Sequence, residues 1–415
     1  MIRARNGLFI YALLGSFGRA FTISSDTLFF LSKGLTFGSI SSLEIFLAVA
    51  VMALELPSGM IADRYGRKAA LLISCGARAI AYLFVIASPS YGSFATAFLF
   101  FGAGVAFQSG AMNAWLVEAH KADGTDVPAG KSAIQRQLAT LSTVSSVGNA
   151  AGAVAGGFAF AVGPSLPWKG SLFVFLTAAV VLLITSEPRR HATTEGSIRH
   201  WSVYDQLRQS GGHIREAAAL YPSRPILIWI TAYACVSQIG MTGIIKIWQP
   251  WFASLLGDGG QSLLGVVWMC FVISNVLANR AVSDSLHVHD SRRLLLASAI
   301  SGLPLVGFAF SESLLLALPL YMLHVFGEAY KDPILYGILH DQVDDNKRAT
   351  IESFYSLTTS FAEALGFLVM GFAIDRWGMQ IVVCLCAAFF VFSGLFASRK
   401  INGKVNQRGA DSKSV

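Results

Sequence analysis

The sequence predicts an all-α membrane protein in which twelve spanning helices form two pseudo-symmetric six-helix bundles. Three observations lead there. The chain is 415 residues long, 54% hydrophobic and only 13% charged, whereas a soluble domain carries roughly 25% charged residues. Apolar runs close to the ~20 residues that a helix needs to cross the hydrocarbon recur along the whole length. The cations between those runs alternate between dense and sparse loops, which is a topology signal. That alternation also argues against reading the net charge of +7 as a nucleic-acid surface.

Taken in order, the apolar runs place spans at 7–31, 40–61, 69–87, 92–118, 136–161, 168–186, 224–253, 262–281, 293–311, 314–340, 349–374 and 379–398. The first is too long for a cleavable signal peptide and lacks a small-residue cleavage site. An even number of spans puts both termini on one face, and 24 Lys and Arg residues fall on that face against Lys33, Lys169 and Arg376 on the other. That bias orients both termini to the cytoplasm of a multi-pass protein of the cell (inner) membrane. The long polar stretch divides the chain into an N-terminal bundle (1–187), a central loop (188–223), a C-terminal bundle (224–398) and a polar, disordered tail (399–415). Within the loop, Val203–Leu220 reads either as an amphipathic surface helix or as a plain tether.

Cys75, Cys235, Cys270, Cys384 and Cys386 all sit in apolar runs, which argues against a disulfide framework or a zinc site. The eight histidines show no ligand spacing, and His287 and His289 read as a solvated pair. No nucleophile, base and orienting group occur together, and no Walker motif is present. The expectation is therefore a non-enzyme without cofactor or metal, embedded in lipid as a monomer.

The stretch most rich in information is Gly59-Met60-Ile61-Ala62-Asp63-Arg64-Tyr65-Gly66-Arg67-Lys68, preceded by Glu55. It resembles the loop between helices two and three of the major facilitator superfamily, G-x-L-A-D-R-x-G-R-K, departing only at Ile61. The resemblance implies the major facilitator fold and secondary transport by alternating access, with a substrate site near the midplane. It also implies a conformational latch of Glu55, Gly59, Asp63, Arg64, Gly66, Arg67 and Lys68. Gly59 and Gly66 would permit close helix approach and a tight reversal. Asp63 would face the start of helix eleven, near Asp345–Thr350, gaining roughly 0.3–1 kcal/mol from the helix dipole and up to ~2 when partly buried. Arg67 would hold the carboxylate, and Glu55 would pair with the same arginines or carry a proton. Internal similarity supports two related halves: Lys131-Ser132-Ala133-Ile134-Gln135 resembles Arg348-Ala349-Thr350-Ile351-Glu352, and Asn279–Asp284 resembles a decayed copy of the signature loop.

Ionisable residues inside spans are expensive, roughly 2.5–3.5 kcal/mol each at the centre, so they mark bundle interiors or cavities. Here they are Arg19, Asp26, Glu44, Arg78, Lys246, Glu328, Lys331, Asp332 and Glu363. In the superfamily, helices one, four, seven and ten line the cavity. On those helices this chain carries Arg19 and Asp26, Asn113, Lys246 and Gln249, and Glu328, Lys331 and Asp332. With Glu363 of helix eleven they form the candidate substrate and proton site. Arg19 and Asp26, seven apart, would share a helix face, and Glu328 would meet Lys331 and Asp332 at helical spacing. Pro333 would break the local ladder. The blander readings are a self-neutralised Glu328–Lys331 pair, Lys246 snorkelling outward, a structural Arg78, and Trp115, Trp248, Trp251, Tyr330 and Tyr336 as interface anchors.

Desolvation favours the neutral carboxylic acid, which suits buried acids for proton carriage; Glu328, Glu363 and Asp26 are the first candidates. Gly148-Asn149-Ala150-Ala151-Gly152-Ala153-Val154-Ala155-Gly156-Gly157 is similar to the antiporter motif of proton-coupled drug exporters, with Ala153 in place of its proline. Phe98 stands where the exporters carry an arginine. The spacing of small residues has a packing explanation as well. The expected function is proton-coupled efflux of a small organic compound, a drug or a metabolite. The alternatives are a proton-coupled symporter importing a polar nutrient and a non-transporting membrane sensor on the same fold.

Overall fold

The computed structural model describes residues 2–122, 131–187, 215, 218–222, 224–257, 259–283, 291–343 and 347–411. Most of the central loop, including nearly all of the Val203–Leu220 stretch, lies outside the described residues, as do His287, His289 and the end of the chain.

Thirteen α-helices have both ends among the described residues. They are α1 (Ala4–Ile23), α2 (Asp26–Ser32), α3 (Phe37–Tyr65), α4 (Arg67–Ala87), α5 (Tyr91–Ala122), α6 (Lys131–Val162), α7 (Leu166–Ile184), α8 (Pro225–Leu256), α9 (Leu264–Ser283), α10 (Ser291–Ala309), α11 (Leu314–His340), α12 (Arg348–Trp377) and α13 (Met379–Asp411). A single turn of 3-10 helix, Gly260–Leu263, precedes α9. The polar tail, expected to be disordered from residue 399, instead continues α13 as far as Asp411. Among the described residues the only strand-like pairing is one bridge, Ile2 to Thr185.

Among the described residues ten helices are long and apolar enough to cross a membrane, and α1 with α2, bent by 43°, makes an eleventh when the pair is counted as one span. The first predicted span is thus broken at Ser24–Ser25, where neither hydroxyl finds a partner. The remaining long helix is α11. Its 27 residues reach ~40 Å at 1.5 Å per residue, but His324, Glu328, Lys331 and Asp332 dilute its apolar character. Its polarity sets it apart from the other long helices.

The chain forms two compact units. The first comprises Met1–Leu35, Leu43–Gln206 and Gly257–Met269, the second Thr36–Ser42, Leu207–Leu256 and Cys270–Val415. In the first unit α1 packs on α6 and α7, and α4 packs on α5 and α7. Gly148, Gly152 and Gly156 of α6 lie against the backbone carbonyls of Leu13, Phe17 and Phe21, so that a methyl group at any of the three would strike main chain. Both rows repeat every four residues, the spacing at which small residues let two helices approach backbone to backbone. Phe29, Phe30, Phe94 and Trp168 of α7 interlock at ring separations of 5.0–6.4 Å, a geometry that adds to simple area burial. In the second unit α8 packs on α12 and α13, and α10 packs on α11 and α13. There Phe252, Phe271, Phe308 and Tyr321 form the matching aromatic centre. Trp115 and Trp248 are buried, which corrects the reading of them as interface anchors.

Candidate functional site

The second unit holds a charged pair inside α11. Glu328 and Lys331 stand one turn apart on the same face, as i, i+3 spacing dictates, and Lys331 Nζ lies 2.6 Å from Glu328 Oε2. The ammonium also donates to Ser237 Oγ of α8 at 2.6 Å, and lies 5.9 Å from the ring centres of Tyr233 and Phe390. The Lys331 side chain is only 4% exposed and that of Glu328 14%. Glu328 Oε1 has no hydrogen-bond partner and is buried. The pair is therefore neutral overall but incompletely satisfied, a state that a proton or a polar ligand group can relieve. One turn before it, His324 is fully buried with Nδ1 2.8 Å from the Ser301 carbonyl oxygen. Helical spacing predicts that Asp332 joins the pair, yet its side chain is exposed on α11. At i, i+4 from Glu328 it presents a second acid beside the pair rather than a partner for it. Pro333 leaves the helix continuous through His340.

Lys246 and Gln249 of α8 are both buried, so Lys246 does not snorkel out. Its ammonium sits 5.2 Å from the centre of the Phe367 ring on α12. Glu363 is four residues before Phe367, one turn away on the same face of α12. The second unit thus gathers acids and bases on α8, α11 and α12.

The first unit carries a different chemistry. Arg19 is exposed although Ala12, Gly15 and Ser16, one and two turns earlier on its face of α1, are buried. An unsheltered guanidinium at this depth calls for water or a ligand rather than lipid. Arg78 is 4% exposed and lies flat over Gly104, its Nη2 donating to Gln108 Oε1 at 2.9 Å and its guanidinium 5.3 Å from the Phe175 ring centre. That is a built-in structural role. Asp26 does not share a face with Arg19, because the bend at Ser24–Ser25 intervenes; its Oδ1 accepts from the Thr27 backbone N–H at 2.7 Å. Asn113 is exposed on α5.

At the signature loop Gly66 has φ +107, a conformation glycine adopts without steric cost, and a single residue turns α3 into α4. Asp63 Oδ1 lies 2.8 Å from Arg67 Nη2, and Arg67 Nε reaches Glu118 of α5 at 3.3 Å. Lys68 donates to the carbonyl oxygens of Leu183 and Thr185 at 3.0 and 2.8 Å, capping the C-terminal end of α7 with a cation, where the helix dipole favours one. Arg64 lies over the ring of its neighbour Tyr65. Two expectations fail here. A methyl group on Gly59 would meet nothing within 4 Å, so Gly59 serves no close approach. Glu55 is exposed and forms no ion pair with the described arginines, because Arg67 is committed to Asp63 and Glu118.

Glu118→Gln is expected to loosen Arg67 while leaving the fold intact. For a pair this exposed the loss is about 0.2–1 kcal/mol, read as a drop of a few degrees or less in the melting temperature of the protein in detergent.

The Major Facilitator Superfamily profile matches residues 7–327. The chain belongs to the major facilitator superfamily. A curated relative, the uncharacterized MFS-type transporter YwfA of Bacillus subtilis (strain 168), is 25% identical over 260 residues, 61% of this chain. The chain spans 60% of that relative's length. Among solved structures, a point mutant of the nucleoside transporter NupG superposes with TM-score 0.78 at 12% identity, over 95% of this chain and 98% of that one. A D-xylose–proton symporter gives 0.66 at 14% identity over 95% and 96%. The peptide transporter POT in complex with sulfate gives 0.72 at 13% identity over 97% and 95%. At these identities the likeness is one of fold. Superfamily membership makes the protein a multi-pass membrane protein.

Ser237, Gln108 and Glu118 are the site contacts that the sequence reading of this superfamily member missed. Each partners a charged residue that the sequence did single out, and each is an ordinary polar residue until the helices are packed.

Proposed function

We propose that this protein is a proton-coupled exporter of a small organic compound, working as a monomer in the inner membrane with both termini in the cytoplasm. The observation that carries the proposal is the buried Glu328–Lys331–Ser237 cluster within α11 and α8. The deprotonated Glu328 carboxylate, whose Oε1 is unpaired, accepts a cationic or N–H group of the substrate; protonating Glu328 removes that acceptor and expels the substrate. A proton and a substrate then occupy the cluster in alternation, which is the requirement for antiport. In the same unit Glu363 and Lys246 supply a second acid and a second base, and within the first unit Arg19 and Asn113 present exposed polar groups of their own.

Export is supported by the α6 glycine run, similar to the antiporter motif and packed directly on α1. In inverted vesicles energised to hold a pH gradient, adding substrate is expected to dissipate the gradient. Whole cells that instead concentrate labelled substrate would turn the reading to symport. Movement independent of the gradient would remove the proton altogether.

Asp63, Arg67 and Glu118 act in this reading as the cytoplasmic latch, Arg67 presenting the Asp63 carboxylate. The Asp63 side chain is 71% exposed, which places its dipole gain at the lower end of the range. Asp63→Asn is expected to shift the population toward the inward-open state by roughly two- to fivefold, measured by double electron–electron resonance between spin labels on the loop faces. An unchanged distance distribution would refute the latch.

A further inference from the structure

The octapeptide Gly371-Phe372-Ala373-Ile374-Asp375-Arg376-Trp377-Gly378 repeats the pattern of Gly59-Met60-Ile61-Ala62-Asp63-Arg64-Tyr65-Gly66. Both carry a glycine at each end, with Asp, Arg and an aromatic residue in the same places. Each closes a long helix, α3 of 29 residues and α12 of 30. Each ends on a glycine with positive φ, +107 at Gly66 and +82 at Gly378, and the next helix starts at the following residue. One difference matters. The first copy is followed by Arg67-Lys68, the second by Met379-Gln380, so no arginine a turn later can take the Asp375 carboxylate.

The carboxylate goes elsewhere. Asp375 Oδ1 accepts from the backbone N–H of Phe37 at 2.9 Å, and Oδ2 accepts from that of Gly38 at 2.7 Å. These are first-turn donors of α3, which have no partner within the helix, and the positive end of the α3 dipole favours an anion there. The seam around the contact is built from small residues. A methyl group on Gly38 would lie 2.9 Å from Asp375 Oδ2 and 2.7 Å from the Phe372 ring, and one on Gly371 would lie 2.5 Å from Ser41 Cβ and 2.8 Å from the Phe37 carbonyl oxygen. By its contacts Thr36–Ser42 belongs to the second unit, while Leu43 onward belongs to the first. The helix nevertheless runs unbroken from Phe37 to Tyr65. A rigid rod is therefore hooked by its first turn to α12, ~43 Å from its signature-loop end at 1.5 Å per residue.

We propose that Asp375 is a second latch, which holds the N-terminal end of α3 during the part of the cycle in which the Asp63 latch at the other end is released. The inference rests on the alternating-access reading above and adds the device that closes the opposite face. α3 and α12 each end in an acid: Asp375 holds the first-turn N–H groups of α3, while Asp63 is held by Arg67 and, in the latch reading, is presented to the start of α12. Tilting two such rods past one another closes one contact as it opens the other. Gly38 and Gly371 permit the approach, and the bidentate carboxylate makes it specific.

Hydrogen–deuterium exchange of the full chain in lipid nanodiscs, without substrate or gradient, tests this. Asp375→Asn is expected to speed exchange of the Phe37–Ser41 amides roughly five- to tenfold, as loss of a charged cap does, and to slow exchange at the α3–α4 loop. Asp63→Asn is expected to give the reverse pattern. Gly38→Ala, which pushes the carboxylate away without removing it, should reproduce the Asp375→Asn result. Faster exchange confined to the first turn of α3, with no response at the far end, would reduce Asp375 to an ordinary helix cap and overturn the proposal; so would no change at all. Because no transport is measured, reciprocal exchange in a protein that fails the vesicle assay would sink the exporter reading while leaving the latch standing.

Discussion

Lys331→Met is expected to abolish coupled transport and to destabilise the protein more than any other single charge removal in the second unit. Taking the ammonium away leaves the Glu328 carboxylate buried beside Tyr233 with neither oxygen paired, and breaking a buried pair in this way costs about 3–5 kcal/mol. Glu328→Gln should be milder, because Lys331 keeps its 2.6 Å bond to Ser237 and the amide oxygen still accepts from it. That variant should reach the membrane at normal levels and still fail to dissipate a pH gradient. The double variant Glu328→Gln/Lys331→Met buries no charge and should recover most of the lost stability without recovering transport. Comparing the three by melting temperature and by vesicle assay separates structure from coupling. Wild-type transport in Glu328→Gln would remove the cluster from the mechanism, and a stable, active Lys331→Met would show that the pair does neither job.

Gly152→Val is the second large effect, and it acts on the fold alone. The substituted side chain would be driven into the carbonyl of Phe17, and main chain within a packed helix cannot rotate aside as a flexible side chain would. Overpacking of this kind costs about 1–3 kcal/mol, occasionally more, and here the α1–α6 seam would have to open along three successive turns. A loss of monodispersity in detergent and a lower melting temperature are the expected readings. Gly59→Ala provides the contrast, since nothing lies within 4 Å of the added methyl. It should be neutral or stabilise the helix by up to about 1 kcal/mol through propensity. Equal destabilisation by both substitutions would mean that the α1–α6 contact does not depend on its glycines.

The fate of the individual site residues separates two kinds of information. Glu328 and Lys331 were legible as a pair because three residues of helix place them on one face whatever surrounds them. Gly66 was legible because a one-residue reversal between two helices needs a left-handed backbone, and Lys246 and Glu363 were legible as costly charges in apolar runs. The roles assigned to Gly59, Glu55 and Asp332 depended on what packs beside them, and the structure assigns each different surroundings from those expected. The Arg19–Asp26 pairing failed for a nearer reason: seven-residue spacing implies a shared face only in an unbroken helix, and Ser24–Ser25 breaks it.

By itself the sequence determined the membrane class, the spans, the superfamily and the list of charges that must be accommodated, because hydropathy, helix period and turn chemistry act over a few residues at a time. Only the tertiary structure decided which polar groups complete those charges. Gln108 meets Arg78 across 30 residues, Glu118 meets Arg67 across 51, Ser237 meets Lys331 across 94, and Asp375 meets the start of α3 across 338. Partners at such separations are chosen by the packing of whole helices, where glycine rows and aromatic clusters set the approach, and no local pattern in the chain encodes that choice.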